Sequence, residues 1–367
     1  MLHSVNHNTR MVEVRLIKLR NIFGIILIFG STPTQQVKLD IKEFGSAMLG
    51  SACSAIGWEC CRSPFLIPPD VAIKNLETTL NNEFFGQHLA ADTVLNALRS
   101  HLHHENSNKA LVLSFHGWAG SGKTYLAELI MKSLYKEGSE SKFVKFYMAS
   151  YHFPDPNASK VLEYQETLRD DILRTVGRCE RALFVFDEVD KTPPKVFDAL
   201  VPFIQHPGKK FEGLNFKRSI FIFLSNIGAS DITKITYTNW KDGQRRENLR
   251  FTDFEGSLQR EAFNNKDTGL TKSRVIDKVL VDFYIPFLPM EREHVISCTK
   301  AEIAKVKTDL DPEKIADSLA YWPPLEKLYS QTGCKKVENL VKFYDAQEKY
   351  GKAFNYDETN ENEHDEL

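Results

Sequence analysis

A chain of 367 residues has room for one large domain and a smaller one. Its 47 basic and 49 acidic side chains leave a net charge of −2, which argues against a nucleic-acid-binding face. Hydrophobic residues at 42% and charged residues at 26% are the proportions of an ordinary globular protein.

The chain opens with Arg10, Arg15, Lys18 and Arg20 ahead of the apolar run NIFGIILIFG at 21–30. That is the form of a secretory signal, assigned to residues 1–34, and it is too short to span a bilayer as a helix. Residues 35–69 follow as a hydrophobic and Cys-rich segment. Within it, Phe44 to Cys61 carries no charge until Glu59 and is rich in Gly, Ala and Ser. Two readings stay open for this stretch: shallow or hairpin-like membrane association, or a small-residue helix packed on the protein itself. Helices are predicted over 71–85 and 88–102, joined at Gly86, with a polar linker at Asn106 to Lys109.

Residues 70–289 then alternate. Leu111 to Phe115 reads as a buried strand, and Gly117 to Thr124 follow with the spacing Gly-x-x-x-x-Gly-Lys-Thr, opening a helix over 125–137. Strand, glycine loop and helix in that order make a P-loop. Gly117, Trp118, Ala119, Gly120, Ser121, Gly122, Lys123 and Thr124 would cradle phosphates with their backbone N–H groups at a helix N-terminus. Lys123 would reach the β- and γ-phosphates of ATP, and the Thr124 hydroxyl would ligate Mg²⁺. Further strands are predicted at 142–148, 182–190 and 219–226, with helices at 158–177 and from the prolines of PPKVFDALVPFI at 193–204. The alternation implies an α/β fold with a parallel sheet covered on both faces.

Residues 290–352 read as a small helical domain, broken at Asp311-Pro312, Pro323-Pro324 and Gly333. An acidic tail at 353–367 ends in His364-Asp365-Glu366-Leu367, the form of an endoplasmic-reticulum (ER) retention signal. Asn157-Ala158-Ser159 is an N-glycosylation acceptor in a loop-like stretch. Signal, acceptor and retention sequence together place the mature chain in the ER lumen.

Two acids close the strand ALFVFDE. Asp187 is the expected Mg²⁺ holder beside Thr124, and Glu188 the expected base for an attacking water. Asn226 closes the strand SIFIFLSN. It can position that water only if its strand lies between those carrying the P-loop and the acids; alone it reads as a turn residue. Spacing leaves Lys335 open between a surface lysine and one reaching back to the γ-phosphate. The six cysteines, Cys53, Cys60, Cys61, Cys179, Cys298 and Cys334, show no Cys-x-x-Cys spacing, so zinc is not expected. An even number suits disulfides in an oxidising compartment.

From Lys42 to Tyr350 the chain resembles the torsins, AAA+ ATPases of the ER lumen and nuclear envelope. The resemblance is carried by ECC at 59–61, FGQHLA at 85–90, HGWAGSGKT at 116–124, HFP at 152–154, FVFDEVDK at 184–191, FIFLSN at 221–226, FNNKDTG at 263–269, IPFLP at 285–289 and GCK at 333–335. It implies an AAA+ three-layer α/β domain followed by a small all-helical domain, and a sensor role for Lys335. It also implies disulfides Cys298–Cys334 and Cys61–Cys179, membrane association without a span, and homo- or hetero-oligomers.

Two features depart from the family. Thr124 stands where torsins usually have Asn, and the terminal HDEL is unusual. As in the family, no arginine lies between Ile276 and Pro289, where related unfoldases carry an arginine finger. The resemblance implies that a membrane-anchored activator of lamina-associated-polypeptide type supplies that arginine from its luminal domain. The expected function is therefore partner-activated ATP hydrolysis that remodels proteins or membranes of the nuclear envelope or ER. The other reading is an ATP-gated assembly module with negligible hydrolysis.

Overall fold

The apolar runs do form strands, and the order in which they pair decides where the polar residues meet. The structure, a computed structural model, describes residues 59–104, 107–205, 213–264, 275 and 280–350. The signal segment, the stretch from Phe44 to Trp58, Asn106, the FNNKDTG motif beyond Asn264, residues 276–279 and the tail with its HDEL lie outside the described residues.

Strands β1 (Leu111–His116), β2 (Val144–Met148), β3 (Leu183–Asp187), β4 (Ile220–Ser225) and β5 (Phe283–Pro286) make one parallel sheet in the order β2-β3-β4-β1-β5. Parallel neighbours need crossover connections, and helices supply them. Helices α1 (Pro69–Glu83), α2 (His88–His103) and α3 (Lys123–Leu134) cover one face. On the other lie α5 (Ala158–Arg178), α7 (Ala229–Lys241) and α8 (Thr252–Asn264), while α4 (Ala149–His152) and α6 (Val201–Gln205) are single turns between strands.

Side chains alternate between the faces along each strand. Leu113, Phe115, Val185 and Ile222 pack on α1, α2 and α3. Val112, Phe184, Phe186, Phe221 and Phe223 pack against the opposite helices. Both faces being apolar explains the near-continuous hydrophobic runs of β1, β3 and β4. On the second face Tyr147, Phe186 and Phe223 stand opposite one another across β2, β3 and β4. Their rings stack at 5.1 and 5.2 Å, and Phe197 meets Phe223 edge-on at 5.3 Å.

Two differences from the sequence reading have local causes. The helix expected from Pro193 begins later, as a 3₁₀ turn over Val196–Leu200 that leads into α6. A proline disfavours helical geometry in the residue before it, and Thr192 is extended while Lys195 adopts a left-handed φ of 73°. Helices α7 and α8 were not anticipated. The sequence of α7, ASDITKITYTNWK, is rich in β-branched residues of low helix propensity, and packing of Ile232 and Thr236 holds it.

Helices α9 (Arg292–Val306), α10 (Pro312–Asp317) and α11 (Val337–Tyr350) surround a further apolar cluster centred on Val295, Ile315 and Val341. Asp311 caps α10 by accepting from Glu313 N at 2.9 Å, with Pro312 next to it. This helical part also holds a short antiparallel pair, β6 (Tyr321–Trp322) and β7 (Tyr329–Ser330), too short to show as a sequence pattern. Cys298 on α9 is bonded to Cys334 in the turn before α11, and Cys61 to Cys179 after α5.

Phe223 is fully buried within the aromatic row. Phe223→Ala is expected to lower unfolding stability by about 3–5 kcal/mol, measured by chemical denaturation.

Candidate nucleotide-binding site

The sheet order puts β4 between β1 and β3. The residues that follow these three strands at their carboxyl ends are therefore neighbours in space, which is where ligands bind in open α/β sheets. They are the glycine loop after β1, Asp187 and Glu188 at the end of β3, and Asn226 after β4.

Lys123 is the first residue of α3, and its side chain is buried. Its ammonium donates to the carbonyls of Gly117 at 2.5 Å and Trp118 at 2.9 Å, and to Asn226 Oδ1 at 3.1 Å. Burial lowers its pKa to about 8; Asp187 and Asp190 oppose that shift, and Lys335 adds to it. Asn226 is itself held, since its backbone N–H donates to Asp190 Oδ1 and its amide to Asp190 Oδ2. The condition set by the sequence for Asn226 is thus met in the strand order.

Thr124 Oγ1 donates to Asp187 Oδ2 at 3.1 Å, while Asp187 Oδ1 accepts from the Glu188 N–H at 2.8 Å. Burial raises the Asp187 pKa, and these hydrogen bonds resist the rise. A hydroxyl and a carboxylate in contact form a hard-oxygen donor set, which fits Mg²⁺. Glu188 differs from its neighbour. Lys191 Nζ lies 2.6 Å from its Oε1, and Ser150 Oγ lies 2.5 Å from its Oε2; both bonds lower its pKa.

Residues Ala119 to Thr124, Asp187, Glu188, Asn226 and Lys335 line one cavity of about 650 Å³. Lys335, left open by spacing, lies on this wall. Gly117 contributes its carbonyl from beneath. The Trp118 ring turns away, donating through Nε1 to Thr233 Oγ1 at 2.8 Å. It lines a separate aromatic cavity of about 500 Å³ with Tyr237, Trp322 and Tyr329. That second cavity holds neither Lys123 nor the acids, so phosphate chemistry belongs to the first. Asn157 is exposed just before α5.

Close backbone approach shuts one side of the site. A Cβ on Gly120, whose φ is 84°, would sit 2.0 Å from Thr332 O, and one on Gly333 would sit 2.1 Å from Gly120 O. Only glycine fits either place. Two further residues tie neighbouring segments, Gln87 the glycine loop to Leu288 and Arg246 the turn at Gly86 to Pro289 and Glu291, and the sequence alone gives neither a role. The Gln87 amide donates to Ser121 O at 3.0 Å and Leu288 O at 2.7 Å, and its carbonyl accepts from Leu288 N at 2.8 Å. Arg246, almost fully buried, donates to Gly86 O, Pro289 O and Glu291 Oε1. Gln87 was visible only within FGQHLA; Arg246 stands in a polar stretch with no pattern to mark it.

Comparison with known proteins agrees with this geometry. The torsin family model matches residues 56–186, and that of the Torsin-1A C-terminal domain matches 290–344. A torsin-like protein of Caenorhabditis elegans is 42% identical over 313 residues, covering 81% of this chain and 86% of that protein. The chain belongs to the torsin family. Torsin-3A of Mus musculus is 35% identical over 277 residues, covering 74% of this torsin and 71% of its own length. Among solved structures, the Saccharomyces cerevisiae Hsp104–ADP complex aligns with a TM-score of 0.51 at 17% identity. The alignment covers 76% of this chain and 47% of the Hsp104 chain, and it supports an AAA+ fold.

His116 links the glycine loop to the end of β4. Its Nδ1–H donates to Ile227 O at 3.0 Å, and its Nε2 accepts from the Ser114 hydroxyl at 2.8 Å. Complete burial lowers its pKa from 6.5 to about 4. Between those values the unfolded chain takes up a proton that the folded chain does not, so stability falls as pH drops from 6.5 to 4. The loss expected from this group is about 3 kcal/mol. Denaturation midpoints across that range should fall more steeply for the wild type than for His116→Gln.

Proposed function

We propose that this torsin is a Mg²⁺-dependent ATP hydrolase of the ER lumen and perinuclear space, completed by a partner and used to remodel proteins or membranes there. The observation that carries the proposal is the gathering of Lys123, Thr124, Asp187, Glu188 and Asn226 around one cavity, with Thr124 and Asp187 in contact. Lys123, short of a carboxylate in its own hydrogen bonds, binds the β- and γ-phosphates and offsets their charge. Thr124 and Asp187 hold Mg²⁺, which when bound neutralises charge on the phosphate oxygens. Asn226, fixed by Asp190, orients water for in-line attack on the γ-phosphorus. Glu188 takes the water proton as the bond to ADP breaks, and Lys335 faces the γ-phosphate from the helical part.

Charge on the transferring group needs one more cation, and no arginine stands between Ile276 and Pro289. A finger of this kind is worth about 10³–10⁵ in rate. The proposal takes it from the luminal domain of a membrane-anchored activator. The apolar run at 21–30, the acceptor Asn157-Ala158-Ser159 and the HDEL sequence at 364–367 support luminal residence. No helix among the described residues is long and apolar enough to cross a membrane.

Lys123→Ala is expected to abolish nucleotide binding by equilibrium titration. Phosphate release should rise when luminal domains from ER membranes are added to wild type, and should stay at background in Glu188→Gln. Equal release by wild type and Glu188→Gln under every condition would sink the hydrolase reading.

A further inference from the structure

Helix α7 carries two unlike faces. Ile232 and Thr236 are buried, while Ser230, Thr233, Lys234 and Tyr237, at helical spacing, line the second, aromatic cavity. Across that cavity the register of β6 and β7 sets Trp322 directly opposite Tyr329, and their rings stack at 6.4 Å. Tyr237 meets Trp322 at 5.1 Å and stacks on Trp240 at 5.7 Å, so four rings form a connected row. The Trp118 indole, held by its bond to Thr233, lines the side made by the glycine loop.

The cavity has a floor as well as walls. Tyr329 and Met290 are buried, whereas Trp118 at 53% and Trp322 at 42% exposure stand at the rim. A concave space of about 500 Å³ with aromatic walls and a few polar groups has the size and lining of a small-molecule site. Aromatic faces take flat apolar groups by stacking. Lys234 adds the electrostatic element: it is the one charged residue of the lining among the described residues, and no carboxylate stands with it. Outside the lining, Glu326 accepts from the Tyr237 hydroxyl at 3.2 Å, and Lys241 lies 4.6 Å from the Tyr237 ring centroid.

We propose that this cavity is a second ligand site, taking a small, flat, apolar molecule with one anionic group, its rings on the aromatic walls and its anion at Lys234. The site communicates with the nucleotide cavity, since Ala119, Ser121 and Met290 line both. Trp118 joins them in another way: its ring lines the aromatic cavity while its carbonyl accepts from Lys123 at 2.9 Å. A ligand there touches both the sheet domain and the helical part, so it favours the arrangement in which Lys335 lines the nucleotide cavity. ATP and this ligand then favour one arrangement, and each tightens the other by the same factor. The coupling, unlike the site itself, rests on the nucleotide reading above.

The test is fluorescence titration of the full chain with anilinonaphthalene sulfonate, a flat apolar anion, and with phenylnaphthylamine, its uncharged counterpart. Reversing the charge of exposed Lys234 in Lys234→Glu should weaken the sulfonate about tenfold and leave the uncharged probe unchanged. Trp322→Ala should weaken both probes about tenfold. Wild-type affinity of both variants for both probes overturns the site, and equal loss of the two probes in Lys234→Glu overturns the anionic ligand class. Saturating Mg²⁺ and ATP should tighten the sulfonate by about fivefold or more. No tightening, with ATP binding seen directly by equilibrium titration, overturns the coupling. Failure of ATP to bind, with both variant effects intact, overturns the nucleotide reading and the coupling while the site stands.

Discussion

A buried ammonium held by carbonyl oxygens is the constraint on which the site depends. Lys123 has lost most of its water, and its three hydrogen bonds go to two main-chain carbonyls and one side-chain amide. Such bonds satisfy donors but do not neutralise charge, which is why burial drives its pKa down to about 8. The position is unfavourable for the protein alone and favourable once an anion arrives. Phosphate oxygens facing the N-terminus of α3 would supply that anion. Lys123 therefore carries an electrostatic demand for an anion, and Asn226, itself held by Asp190, accepts one of its three hydrogen bonds.

Holding that demand open to a nucleotide needs a rigid wall. Gly120 and Gly333 bring two backbones together with no room for side chains. Gln87 fixes Ser121 to Leu288 through both ends of its amide, so the glycine loop cannot shift without breaking the seam after β5. Arg246 bonds to Gly86, Pro289 and Glu291, and Glu291 in turn caps α9. From α9 the Cys298–Cys334 bond leads to the turn bearing Lys335. A continuous chain of bonds thus runs from the P-loop to the turn that bears Lys335. A buried guanidinium needs all its partners, so Arg246 makes the two ends of this chain interdependent.

Much of this was legible in the sequence, for reasons that differ by element. Strands β1 to β4 were legible because sheet faces covered on both sides demand apolar runs such as LFVF, whereas the four-residue β5 was too short to show as a pattern. The P-loop was legible because its glycines, lysine and hydroxyl obey backbone sterics that few other residues satisfy. Asn226 was conditional on strand order, which local sequence does not encode. Helix α7 was hidden because long-range packing outweighs the low propensity of its threonines and isoleucines. Arg246 and Ser150 were hidden for a related reason. Each acts on a residue distant in sequence, and neither carries a local pattern.

The two acids at the end of β3 show how one strand serves two chemistries. Asp187 is half-buried against Thr124, and loss of water raises its pKa; a bound Mg²⁺ would oppose that rise by supplying positive charge at the same oxygens. Glu188 lies in a wetter place, where hydrogen bonds from Lys191 and Ser150 lower its pKa and keep it ionised. Among the described residues lining the cavity there are six carboxylates against three lysines, Lys123, Lys305 and Lys335, and no arginine. Two of those lysines stand on the helical part, so the glycine loop alone supplies one cation to a triphosphate. A further cation approaching from outside would meet a field already negative in sign and deepened by the phosphates. The proposed partner would answer that imbalance: an arginine brought from outside would add positive charge to a lining whose described cations are three lysines.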